Sequence, residues 1–145
     1  MHPISIVISY CSVDKRFIKK NIENCLKLTD DVILVFCTHL LNGDKEDLID
    51  IVNLLKEYPS LRYECVAFNR HENSKYHHNM FRWQGKEIAK YDRVLFIDAD
   101  EFFNIDTFNK YLEEKSYLNY DVVCFKCYWY FRDVVKKKNH MIMWF

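Results

Sequence analysis

Apolar residues along this chain fall into two patterns, short solid runs and longer stretches where they recur every three or four positions. Ile4-Ser5-Ile6-Val7-Ile8-Ser9-Tyr10 and Val32-Ile33-Leu34-Val35-Phe36-Cys37 are solid, β-branched runs, as expected of strands covered on both faces. Between them Ile18, Ile22, Cys25 and Leu26 recur at helical spacing, with Ser12 or Asp14 placed to cap a helix. A second helix is predicted from about Asp44, with Glu46 and Asp47 near its positive end. Leu48, Ile51, Val52 and Leu55 form its expected buried stripe, and Pro59 stops it. Arg62 to Phe68 reads as a third strand, Asn69 to His78 as a dense polar loop, and Asn79 to Lys90 as a third helix. Phe81, Gly85 and Ile88 share one side of that helix, and Gly85 would let it lie close against the sheet. Val94 to Ile97 is a fourth strand, Asp106 caps a short helix through Lys115, and Asp121 to Arg132 is a final aromatic strand. Its Val123, Phe125, Cys127, Trp129 and Phe131 form one apolar face. The alternation of strand and helix predicts an α/β fold, a mostly parallel sheet with helices on both faces.

The fourth strand runs into Asp98-Ala99-Asp100-Glu101. With an extended backbone, Asp98 and Asp100 would project from the same face about 7 Å apart. Two carboxylates in one small volume repel each other unless a cation or water screens them, and a hard divalent ion with oxygen ligands suits the pair. Ligands of open α/β sheets bind at the carboxyl ends of strands, where this pair lies. The plainer alternative is a solvated strand end followed by a helix cap.

Composition narrows the class. Half the residues are hydrophobic and 17% are aromatic, which excludes a disordered chain. Lys plus Arg equals Asp plus Glu at 21 each, which argues against a general nucleic-acid binder. No secretory signal and no apolar run long enough to span a membrane is visible, so a cytoplasmic protein of one domain, residues 1–145, is expected. Cys11, Cys25, Cys37, Cys65, Cys124 and Cys127 lie mostly in apolar segments and read as buried free thiols. The tail from Lys136 to Phe145, basic and then apolar, reads as an edge strand, a membrane-surface contact, or a chain cut where a longer protein continues.

Arg82-Trp83-Gln84-Gly85, then Ala89-Lys90, then Val94-Leu95-Phe96-Ile97-Asp98-Ala99-Asp100 resemble the nucleotide-sugar glycosyltransferases of the GT-A fold, in particular the family-two-like group with its Asp-x-Asp motif. The resemblance implies a Rossmann-like nucleotide-binding half, truncated at the C-terminus if a longer protein continues, and a metal-dependent transfer of sugar from a nucleotide-diphosphate donor. It implies Mn²⁺ or Mg²⁺ as cofactor, bound by Asp100, with Asp98 contacting the ribose or a metal-bound water. It places Arg82 near the donor diphosphate and Ser9, Tyr10 and Cys11 along the base and ribose pocket. A UDP-sugar is favoured, and the acceptor, a glycan, lipid or protein, is left open. No residue is assigned as catalytic base. Where the family usually carries an Asp after the second strand, this chain has Cys37-Thr38-His39, and Trp83 replaces the usual Asn. Two other readings stand beside this one: a shortened domain that binds nucleotide or a partner without turnover, and a Mg²⁺-dependent phosphohydrolase of the haloacid-dehalogenase type, whose Asp-x-Asp normally lies early in the chain.

Overall fold

The solid apolar runs become parallel strands because each has hydrophobic side chains to bury on both faces. The computed structural model describes the backbone of residues 2–131 and 134–144 and the side chains of residues 2–125. In order it forms β1 (Ser5–Ser9), α1 (Lys15–Leu26), β2 (Asp31–Cys37), α2 (Leu48–Glu57), β3 (Arg62–Val66), α3 (Ser74–Glu87), β4 (Val94–Asp98), α4 (Ile105–Glu114), β5 (Val122–Phe131) and β6 (Val134–Trp144). The sheet order is β3-β2-β1-β4-β6-β5. The first four strands in that order are mutually parallel, and β6 runs antiparallel to both β4 and β5. This is the expected α/β architecture, and every carboxyl end of the parallel strands points to one edge.

Strand alternation divides the core in two. Ile6, Ile8, Val32, Leu34, Leu95 and Ile97 pack with Ile18, Ile22 and Cys25 of α1, Ile51 and Leu54 of α2, and Phe108 and Leu112 of α4. Val7, Ile33, Val35, Val94 and Phe96 face the other way and pack with Phe81 of α3. Gly85 is buried on α3, and a Cβ there would fall 2.4 Å from a methyl carbon of Val7. The close approach expected of this glycine is therefore a property of the fold.

Several local expectations need correction. Asp14 occupies the N-cap position of α1 but makes no capping side-chain bond. The second helix starts at Leu48, not near Asp44, because Asp47 is its cap and accepts from the backbone N–H of Ile49 and Asp50. Its buried positions are Ile51 and Leu54, while Leu48 and Val52 are exposed. The third helix begins at Ser74, capped by Asn73, so His77 and His78 are helical rather than part of a loop. Asn104, not Asp106, caps α4 by accepting from the Thr107 N–H. The tail is not an edge strand: as β6 it lies between β4 and β5. Val123 and Phe125 pack on the core as expected, whereas the side chains of Cys127, Trp129 and Phe131 lie outside the described residues. Among the described cysteines, all free, Cys25 and Cys37 are buried, Cys11 is half-buried, and Cys65 and Cys124 are exposed.

Candidate active site

The acidic site begins where β1 and β4 end side by side. Ser9 and Asp98 are register partners, and alternation from Val7, Val94 and Phe96 turns both toward the α3 face. The Ser9 hydroxyl donates to the Asp98 carboxylate. The Ala99 N–H then donates to the Ser9 carbonyl at 3.0 Å, and the Glu101 N–H to the Asp98 carbonyl at 2.9 Å.

That second bond closes a turn, so the backbone does not stay extended through the acids. Same-face alternation of Asp98 and Asp100 is thereby corrected. Asp98 is half-buried, Ala99 is buried in the α1 side of the core, and Asp100 is exposed. Glu101 folds back, its Oε2 accepting from the Asp98 N–H at 2.9 Å.

The carboxylates nevertheless form one electrostatic group. Burial raises the pKa of Asp98, Asp100 raises it further, and the positive charges of His78 and Arg82 oppose both. Asp14, from the turn after β1, is raised first by burial and then by Asp100 and Asp98. Burial pushes Glu101 up to about 7, with Asp98 and Asp100 adding and Arg82 opposing. Arg82, half-buried on α3, is thus near enough for its charge to act on both Asp98 and Glu101. Asp14 and His78 carry no local signal for this site, since one reads as a cap and the other as loop.

The three residues at the end of β1 go different ways. Ser9 stands with Asp98. Tyr10 is buried on the opposite face and lines a groove of about 220 Å³ between α1 and α2, with Lys15, Ile18, Asp50 and Leu54. Burial, with the charges of Glu46 and Asp50, pushes its hydroxyl up to about 12. Cys11 donates its thiol to Asp14 at 3.5 Å, and burial raises it to about 11.

Beneath the turn lies a residue that the sequence does not single out. Asn21 of α1 is fully buried and donates from Nδ2 to the carbonyls of Asp98, Ala99 and Glu101 at 3.3, 3.1 and 3.0 Å. Its one visible signal is an amide set among Ile18, Ile22 and Cys25 on the buried stripe of a helix.

A hard divalent cation fits the donor chemistry, which consists of carboxylate oxygens whose mutual repulsion it would relieve. Among the described residues no three His, Cys, Asp or Glu side chains converge as a ready cage.

The fold is an α/β sheet of the doubly wound class, four of its strands parallel, with acids at the carboxyl edge of those four. The sequence matches the family described as glycosyl transferase family 2 over residues 5–145, and the chain belongs to that family. Among solved structures it is similar to the crystal structure of S. aureus TarS 1–349, with a TM-score of 0.56 and 16% identity. That likeness shows the shared GT-A fold; it covers 82% of this chain and 34% of the other, so the chain spans about a third of that structure's length. No curated protein sequence matches significantly. No helix among the described residues is long and apolar enough to cross a membrane.

Proposed function

We propose that this chain, as one domain over residues 1–145, transfers a glycosyl group from a nucleotide-diphosphate sugar, UDP-linked in preference to GDP-linked, to an acceptor hydroxyl. The bond between the sugar's anomeric carbon and the diphosphate oxygen breaks, and the acceptor oxygen takes its place. The diphosphate leaves with its negative charge, and the acceptor's proton goes to a general base.

Membership of the family supports glycosyl transfer. The observation that supports this mechanism most is the meeting of Asp98, Asp100 and Arg82 at the carboxyl edge of the parallel strands. Asp100, exposed on the turn, and Asp98 beside it would hold Mn²⁺ or Mg²⁺. Such an ion offsets negative charge developing on the leaving diphosphate. Arg82 approaches from α3 and can donate two parallel N–H bonds to phosphate oxygens. Ser9 donates to the Asp98 carboxylate, which favours its ionised form against burial. The end of β1, through Ser9 and Cys11, lies next to the acids and offers a wall for ribose and base. Exposed thiols at Cys65 and Cys124 suit a reducing, cytoplasmic setting.

Turnover separates this reading from a phosphohydrolase. The full chain with Mn²⁺ is expected to release UDP from UDP-sugars, as slow hydrolysis without an acceptor, and to leave an aryl phosphate intact with Mg²⁺. Steady cleavage of the aryl phosphate with UDP-sugars untouched would reverse the assignment.

A further inference from the structure

A carbonyl oxygen can only accept a hydrogen bond, so three carbonyls meeting on one side chain require a donor there. Asn21 supplies it: its two N–H groups serve the carbonyls of Asp98, Ala99 and Glu101, all within 3.3 Å of Nδ2. Its Oδ1 in turn accepts the Cys25 thiol at 3.6 Å, which ties the amide to the next turn of α1. The side chain is fully buried, so no water can replace it.

These bonds settle which way the turn faces. With the carbonyls of residues 98, 99 and 101 drawn inward onto α1, and Ala99 sunk in the core, Asp100 is left on the open side and Asp98 toward Arg82. The clamp works against the repulsion of Asp14, Asp98, Asp100 and Glu101, which on its own would spread the turn. It is also placed before any ligand arrives, because it is built from the protein alone.

We propose that Asn21 is a positioning residue for the acid pair, fixing the backbone turn from which Asp98 and Asp100 would hold a divalent cation. This rests on the reading of those acids as cation ligands. Asn21 touches neither cation nor donor, and acts only through the backbone of the turn. Removing its amide should lower cation affinity in a protein that is still folded.

The test uses the full chain, titrated calorimetrically with Mn²⁺ plus UDP, alongside thermal unfolding of each variant. Asn21→Leu keeps the branched heavy-atom shape and removes the donors, and should weaken Mn²⁺-dependent UDP binding at least about tenfold. Asn21→Ser retains one donor and should fall between wild type and Asn21→Leu, so it carries the test if the leucine variant does not fold. Leu28→Ala, buried in the same core just beyond α1, should lower stability and leave the affinity unchanged. Equal binding by wild type and the Asn21 variants, or equal weakening by Leu28→Ala, overturns the proposal and reduces Asn21 to a packing residue. Loss of Mn²⁺ dependence in the wild type itself would instead remove the cation reading on which it stands.

Discussion

Gly85 on α3 sits against Val7 on β1 at a distance that no side chain allows: an added Cβ would meet the two Val7 methyls at 2.4 and 2.9 Å and a Val35 methyl at 3.2 Å. Both valines belong to central strands that cannot retreat, so a methyl group here must lift the helix. That helix also carries Arg82 toward the acids. Gly85→Ala should therefore destabilise by about 1–3 kcal/mol despite alanine's better helix propensity, as read from urea unfolding. The pair Gly85→Ala with Val7→Ala should recover part of the loss, because the two sites share one clash. Additive losses would refute the contact.

The role of Gly85 is legible in the chain itself because it depends on local spacing, one glycine on the apolar side of a helix between strands. Three of the four parallel strands, β1, β2 and β4, are legible for a similar reason, since a continuous apolar run has few other uses, whereas β3 is mostly exposed and carries Arg62 and Glu64. Other features depend on contacts distant in sequence. Asn21 falls on the buried stripe of its helix, but what its amide serves is hidden until the turn 77 residues away is folded onto it. His77 reads as loop, yet it is buried, stacked on Phe68 with ring centroids 4.9 Å apart, and donates from Nε2 to the Asn69 carbonyl at 3.0 Å. The turn at Asp98 is hidden because an apolar strand suggests continued extension, and only the Glu101 N–H bond to Asp98 breaks it. The inner place of β6 depends on pairing with β4 and β5 that no local pattern encodes.

A second polar cluster, at the opposite end of the strands, should act on stability alone. Asp31 is 1% exposed. Its Oδ2 accepts from the Ser5 hydroxyl at 2.5 Å and the Lys90 N–H at 2.7 Å, and its Oδ1 from Arg62 at 3.0 Å. Asp31→Ala leaves the Ser5 hydroxyl and the Lys90 N–H without this acceptor and should cost about 3 kcal/mol. Because Ser5 begins β1 and Ser9 ends it, Mn²⁺ and nucleotide affinity should be unchanged at temperatures where the variant is folded. A variant equally stable but weakened in binding would contradict this separation.

The acid group also sets a pH dependence. Glu101 is raised from 4.5 to about 7 by burial, and Asp98 and Asp14 are raised as well. Between the unfolded and folded values the folded protein holds more protons, so stability should decline as pH rises from about 4.5 through about 7. Glu101→Gln should flatten much of that decline, being more stable than wild type by about 1–2 kcal/mol at pH 8 and no different below about pH 4.5. Added Mn²⁺ should flatten the wild-type slope in the same way, by screening the ionised group. Urea midpoints measured across this range, with and without Mn²⁺, check both expectations. A wild-type slope of opposite sign would show that burial and the neighbouring acids do not hold these carboxyls up.

The most direct measurement is calorimetric binding of UDP to the full chain with Mn²⁺ and again with EDTA, for wild type and for Asp100→Ala. The expected result is binding by the wild type that weakens at least about tenfold in EDTA, and the same weak binding by Asp100→Ala in either condition. Binding that is equally tight without metal, or that survives Asp100→Ala with its metal dependence intact, would contradict the assignment of the acidic turn as the cation and diphosphate site.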